Sequence, residues 1–410
     1  MSAADAQAPG EGPVLPAAAL LAGVWPMLAA MAAPLASAPG FPWQEGLGED
    51  AARLRADIGA VGGEAFRTAV IAETASRTMT HVAGIARLGE LGALPPRPSP
   101  PVLWRRGPAR LLDHGGNGPP VLVVPSLINT ARVLDFAPGD SLMESLRDAG
   151  LRPLLLDWGR PGMGEAGLDL AAHVETCVLP ALAMARDIGG GRAGLLGYCL
   201  GGTLAAAAAA HPRGRPDALA LLAPLWNATA ARPDWLATLA DVACTMWPEG
   251  RPVPPGLLPG EVVAWLMAAF QPTRALDRYR LLAEAAPDDG QARRLARLEV
   301  WAGTPVPLTM PAAADVLAGL FGRDMAGRGA WRVGGRQVDP AAIRAPTLVA
   351  LAGRDVIVPP AAAQGLSGTI PGAENFTVET GHVGLVAGRR AGAEVHRPVA
   401  QHLARHLFGG

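Results

Sequence analysis

The stretch Gly197-Tyr198-Cys199-Leu200-Gly201-Gly202 constrains the chain more than any other. An apolar run, Ala193-Gly194-Leu195-Leu196, leads into it, and Thr203-Leu204 followed by alanines from Ala205 to Ala210 leads out. Those neighbours read as a short buried strand, a sharp turn with cysteine at its tip, and a strong helix former. Glycines two residues either side of the cysteine suit a strained turn that a second backbone crosses closely. A thiol at the start of a helix also feels the positive end of the dipole, which favours the thiolate. A lone cysteine in an apolar context is, by itself, as readily an ordinary core residue. Its meaning therefore depends on what the rest of the chain supplies.

Composition removes several classes of chemistry. Acidic and basic residues nearly cancel, 36 against 35, so no overall field points to nucleic acid. Every basic residue is arginine, which excludes Schiff-base chemistry, lysine-bound pyridoxal phosphate and a Walker-type loop. Cys177, Cys199 and Cys244 are too few and too scattered for a disulfide scaffold or a zinc site. No metal is expected, and a reducing, cytoplasmic compartment is the natural setting. The uncharged stretch Val14 to Ala38 lacks the basic lead of a signal peptide and is interrupted by Pro16, Pro26 and Pro34. It is expected to form a pair of short, packed or surface-seeking helices, not a membrane span.

The organisation follows from periodicity and proline. Residues 1–93 read as a helical region, with an amphipathic pattern from Glu49 to Gly89, and 94–101 as a stiff proline linker. From 102 to 224, strands at Val102–Trp104, Ala109–Leu112, Pro120–Pro125, Arg152–Trp158, Arg192–Tyr198 and Ala218–Leu222 are interspersed with helices at Ser141–Ala149 and Leu168–Ile188. Such alternation implies a mostly parallel central sheet with helices on both faces. Residues 225–339 break it and hold six of the ten tryptophans, as expected of a cap insertion whose indoles chiefly pack. Residues 340–410 complete the core, with strands at Thr347–Ala352 and Asn375–Glu379 and a closing helix over Gly392–Leu407.

The elbow matches the G-x-S-x-G pattern of α/β-hydrolases, with sulfur replacing the serine oxygen. That fold orders its residues nucleophile, acid, histidine, the last two on loops after late strands. Cys199, Asp355 and His382 satisfy both requirements. Asp355 alone reads equally as a turn or cap residue, and His382 as a loop histidine bonded to backbone. Yet His382 alone among eight histidines ends a late apolar strand between glycines. His396, His402 and His406 are expected on the surface of the last helix. Asp157, at another strand end, is a competing acid read as structural. An oxyanion formed at a substrate carbonyl would be met by the backbone N–H of Leu200 and by a second donor near Ser126 or Leu127.

Together, Gly197-Tyr198-Cys199-Leu200-Gly201-Gly202-Thr203, Ile128-Asn129 with Leu134-Asp135, Asp157-Trp158-Gly159-Arg160-Pro161, Val333-Gly334-Gly335-Arg336-Gln337-Val338-Asp339 and Gly381-His382-Val383-Gly384 resemble polyhydroxyalkanoate synthases, over roughly Val102 to Gly410. Two departures are visible: Val356 stands where such synthases commonly carry histidine, and the N-terminal region is shorter than in the long ones. The resemblance implies an α/β-hydrolase core with a cap, a cysteine carrying the growing polyester, and an (R)-3-hydroxyacyl-coenzyme A substrate. Coenzyme A is then part of the substrate and no separate cofactor is expected. A homodimer, a partner synthase subunit and the surface of a polyester granule are the partners it implies. An intracellular depolymerase or acyl thioesterase with the same three residues is the alternative. Dienelactone hydrolase has a similar elbow without a long cap, and a non-catalytic granule protein would have no need of the three residues.

Overall fold

The computed structural model describes residues 46–97, 99–286 and 288–409, together with residues 24, 27, 28, 30–35, 38, 40, 41 and 43. The apolar stretch from Val14 to Ala38 falls largely outside the described residues. Two compact units arise, one from Met1–Ala93 with Ala264–Thr304, the other from Leu94–Val263 with Pro305–Gly410. The stretch read as a cap, 225–339, is thus divided between them.

The larger unit is built on eight strands: β1 Val102–Arg106, β2 Ala109–Asp113, β3 Pro120–Val124, β4 Arg152–Asp157, β5 Gly194–Tyr198, β6 Ala218–Leu222, β7 Thr347–Ala352 and β8 Glu374–Val378. Their order across the sheet is β1-β2-β4-β3-β5-β6-β7-β8. Only β2 runs against its neighbours; β4 through β8 pair in parallel. The mostly parallel sheet expected from the alternation is therefore observed. Every residue of β3, β5, β6 and β7 is buried. Unbroken apolar strands of this kind need cover on both faces, which the crossover helices provide. Leu179–Ile188 lies on β3, Leu200–Ala210 on β5 and Arg397–Leu407 on β6.

Parallel strands bring their C-terminal ends to one edge, and ligand sites in such sheets form there. The turns after Val124, Tyr198, Ala352 and Val378 consequently share that edge. Two glycines let the chain cross itself beneath it. A Cβ on Gly201 would lie 2.3 Å from the carbonyl oxygens of Val124 and Pro125. One on Gly197 would lie 2.5 Å from the Gly201 carbonyl oxygen. Both close approaches are to backbone, which cannot swing aside as a side chain does.

The smaller unit is helical. Glu49–Gly89, continuous in pattern, is broken at Gly62, whose φ of 91° ends one helix, Gly48–Val61, and admits the next, Gly63–Leu91. Within this unit Gly63–Leu91 packs on Pro272–Glu284 and Gly290–Ala302, around Leu88, Leu91, Tyr279, Leu282, Ala292 and Ala296. Asp289 caps the last of these helices by accepting from the Gln291 and Ala292 N–H groups.

Two histidines correct the sequence reading. His396 and His402, expected on the surface, are buried and reach the carbonyls of Val386 and Pro346 at 3.0 and 3.2 Å. The closing helix thus turns part of its polar sequence inward, where backbone carbonyls just before β7 and in the short helix Gly384–Ala387 receive it. Among the described residues, no helix is long and apolar enough to cross a membrane.

Gly201→Val is expected to lower stability by about 3 kcal/mol, because the added carbons meet fixed carbonyls. Urea unfolding of the variant beside the parent chain measures this; an unchanged midpoint would contradict the close crossing.

Candidate active site

The turn after β5 holds Cys199 at φ +57° and ψ −129°, a conformation that residues with a Cβ rarely adopt. Such strain persists only where surrounding bonds over-determine it. Here the Cys199 N–H donates to the Leu222 carbonyl at 2.9 Å, and the Cys199 carbonyl accepts from Gly202 N–H at 2.8 Å. Thr203 adds a tie from its hydroxyl to the Leu225 carbonyl at 2.7 Å. The result projects the sulfur from the strand edge at the first turn of Leu200–Ala210.

His382 and Asp355 come to the same place from the turns after β8 and β7. His382 Nδ1 lies 2.6 Å from Asp355 Oδ2, and both side chains are buried. The other carboxylate oxygen, Oδ1, accepts from the N–H groups of Ile357 and Val358, each at 2.9 Å. Asp355 is therefore held at both ends, and with Oδ2 as acceptor His382 carries its proton on Nδ1 and directs Nε2 to other work. The residue after Asp355 is not needed for that grip.

Neighbouring charge then shifts both groups from their ordinary values. Burial by itself would push the Cys199 thiol up; the His382 imidazolium, with hydrogen bonds from His382, the Ser126 hydroxyl and the Leu200 N–H, brings it below its ordinary value. Burial would likewise push His382 down, yet the charges of Cys199 and Asp355 hold it well above the ordinary imidazole range. Both shifts run in the direction of a thiolate–imidazolium pair. A thiolate is the reactive form of cysteine, and a proton-bearing imidazole beside it can later protonate a leaving group. Such a set can form and break a thioester.

Of the residues singled out from sequence, Cys199, His382, Asp355, Ser126 and Leu200 are brought together. Leu127 follows Ser126 in the loop after β3 and is buried. Asp157 pairs with Arg110 at 2.5 Å and accepts from Gly159 N–H at 3.1 Å, a structural use. Asp135 is tied to Arg97 at 2.8 Å and to the Ser141 hydroxyl at 2.7 Å. Asn129 forms an isolated antiparallel bridge with Pro305. Trp158 donates its indole N–H to the Pro125 carbonyl at 3.0 Å, bracing the loop that carries Ser126.

Two contributors escaped sequence reasoning. The Ser126 side chain, not only its backbone, faces the sulfur. Tyr198 stacks on His382 with ring centroids 5.2 Å apart and an interplanar angle of 31°, and its hydroxyl lies 3.4 Å from the His382 carbonyl. An aromatic face against an imidazolium stabilises the cation. Tyr198 sits in the elbow motif, but its partner lies 184 residues away. Among the described residues no cluster of three His, Cys, Asp or Glu side chains could hold a metal ion.

With the imidazolium removed, only the Ser126 and Leu200 hydrogen bonds oppose the effect of burial on the thiol, and the thiolate retreats to higher pH. His382→Gln should therefore slow iodoacetamide alkylation of Cys199 at neutral pH by at least about tenfold and move its pH midpoint upward. Tyr198→Leu should move the midpoint the same way by a smaller amount, whereas Tyr198→Phe, which keeps the ring, should leave it in place. Mass spectrometry of Cys199 across a pH series reads both.

A family model described as alpha/beta hydrolase fold matches residues 119–388. The Haloferax mediterranei protein named poly(3-hydroxyalkanoate) polymerase subunit PhaC is 25% identical over 320 residues, 75% of this chain and 64% of that protein. A Haloarcula marismortui protein of the same name is 25% identical over 301 residues, 71% of this chain and 62% of that protein. One from Cupriavidus necator is 34% identical over 127 residues, 31% of this chain and 20% of that protein. Matches to the first two thus span less than two thirds of their length. With the sheet order, the strained elbow and a matching model that covers most of the core, the chain belongs to the alpha/beta hydrolase fold family.

Proposed function

We propose that the chain is an acyltransferase that builds polyhydroxyalkanoate from (R)-3-hydroxyacyl-coenzyme A through a thioester on Cys199. The observation that carries this reading is a thiol at a strained elbow, charged against an imidazole that a doubly anchored carboxylate holds. Relatives bearing the polymerase name support it from a second direction.

The chemistry runs in two exchanges. The Cys199 thiolate attacks the thioester carbonyl, and the oxyanion is met by the Leu200 N–H and by donors of the loop at Ser126 and Leu127. The carbon–sulfur bond to coenzyme A breaks, and the departing thiolate takes the proton from His382 Nε2. The acyl group is then a thioester on Cys199. In the second exchange His382, now neutral, removes the proton from the 3-hydroxyl of another hydroxyacyl unit. That oxygen attacks the Cys199 thioester, an ester forms, and Cys199 leaves as thiolate beside a re-formed imidazolium. Asp355 keeps the imidazole in one tautomer and stabilises its cation throughout. Thioester to ester is downhill, which suits cysteine over serine as the carrier. Burial of Cys199, His382 and Asp355 limits access of water to the acyl intermediate.

By this reading the chain works in the cytoplasm at the surface of its own polymer granules, as a homodimer or with a partner subunit. The word "subunit" in the relatives' name supports such an assembly. A thioesterase or depolymerase would use the same three residues but deliver the acyl group to water.

Purified protein given (R)-3-hydroxybutyryl-coenzyme A should release coenzyme A and accumulate polymer. Cys199→Ala should reduce release by about a thousandfold or more. Free hydroxy acid without polymer would replace the reading by hydrolysis, and full activity in Cys199→Ala would remove it.

A further inference from the structure

Backbone N–H groups do not exhaust the donors around Cys199. Ser126 is the second residue after β3, and its side chain and the sulfur are both buried. The neighbouring chain fixes its place. The Trp158 indole N–H holds the Pro125 carbonyl at 3.0 Å, and that carbonyl abuts Gly201, two residues beyond Cys199. The Ser126 oxygen itself accepts from the Ile128 N–H at 3.3 Å. A hydroxyl has a single hydrogen to give. Here it goes to the Cys199 sulfur, which also accepts from His382 and from the Leu200 N–H.

Acylation of the sulfur takes that acceptor away. A thioester sulfur carries no charge, and divalent sulfur accepts hydrogen bonds only weakly. The carbonyl oxygen of the acyl group is bonded to the same carbon as the sulfur, so the donors that held the thiolate are close to it. One of them, the Leu200 N–H, is the donor that a nucleophile elbow supplies to an oxyanion. The Ser126 hydroxyl shares its resting acceptor with that N–H. Left unpaired in a buried site, a donor is costly, and a hydroxyl can rotate to a new acceptor without moving the backbone.

We infer that the Ser126 hydroxyl is a side-chain oxyanion donor, which rests on the Cys199 thiolate and passes to the substrate carbonyl oxygen as the tetrahedral intermediate forms. As the sulfur–carbon bond forms, the carbonyl electron pair moves onto oxygen, and the negative charge goes with it from sulfur to oxygen. Ser126 keeps its proton throughout and changes only its acceptor. The charge returns when the bond to the leaving group breaks. The inference rests on acyl transfer through Cys199 and deepens that part of the proposed function, whether the acyl group goes on to an alcohol or to water.

Two reagents distinguish this role from tuning of the thiol alone. Iodoacetamide alkylates a thiolate without forming an oxyanion, whereas p-nitrophenyl butyrate acylates it through one. In Ser126→Ala the midpoint of alkylation should move to higher pH. Above that midpoint the limiting alkylation rate should equal or exceed the parent's, because the thiolate has lost a donor. Acylation at the same pH, read as pre-steady-state release of p-nitrophenolate, should fall at least about tenfold. Ser126→Thr, which keeps the hydroxyl, should recover most of that loss. Equal changes in both reactions for Ser126→Ala would confine the hydroxyl to the thiol and overturn the inference. So would a folded Ser126→Thr that alkylates as the parent does yet acylates no faster than Ser126→Ala, or a parent chain that the ester does not acylate at Cys199. The product made from (R)-3-hydroxybutyryl-coenzyme A, polymer or free acid, decides the polyester reading separately.

Discussion

A buried sulfur and a buried imidazole lie together here, and each favours the charged form of the other. Desolvation opposes both ions, raising the thiol and lowering the imidazole; their mutual attraction reverses those directions, with help from Ser126 and Leu200 at the sulfur and from Asp355 at the imidazole. The pair therefore survives only at short range and in fixed orientation. Everything around it serves to hold that geometry. The carboxylate of Asp355 would otherwise be a third buried charge, but two backbone N–H groups and the imidazole share its oxygens.

The strain at Cys199 is affordable because the neighbouring chain leaves no alternative. A positive φ at a residue with a side chain costs of order 1–3 kcal/mol. Backbone bonds from Cys199 to Leu222 and from Gly202 to Cys199 are lost if the turn relaxes. Gly197 and Gly201 are small because carbonyl groups occupy the volume that side chains would need. The elbow is thus a property of strands β3, β5 and β6 together, not of six residues in isolation. Trp158 extends that support by fixing the Pro125 carbonyl, which itself abuts Gly201.

Much of this was legible before any coordinates. Apolar runs bounded by glycine and proline mark buried parallel strands, and those strands appear within a residue or two of their expected limits. The residues that meet at the sheet edge stood out because strand ends are where a parallel sheet exposes its loops. Glu49 to Gly89 is helical as its amphipathic pattern implies, divided at Gly62 where the backbone turns. One reading failed because polarity stood in for context. His396 and His402 look like surface residues on an arginine-rich helix, but carbonyls of Val386 and Pro346 lie within reach. A helix pattern records polarity; it does not record which acceptors another segment will bring.

The sequence by itself determined the order of strands and helices, the sharp turn at Cys199 and the residue types able to do acyl chemistry, because these depend on local periodicity and backbone freedom. Tertiary structure alone decided that Tyr198 would lie on His382, that the Ser126 hydroxyl would face the sulfur, and that Trp158 would brace the loop that carries it. Those contacts join residues tens to hundreds of positions apart. Their distances follow from how the sheet is crossed, and hydrophobic pattern carries no measure of that.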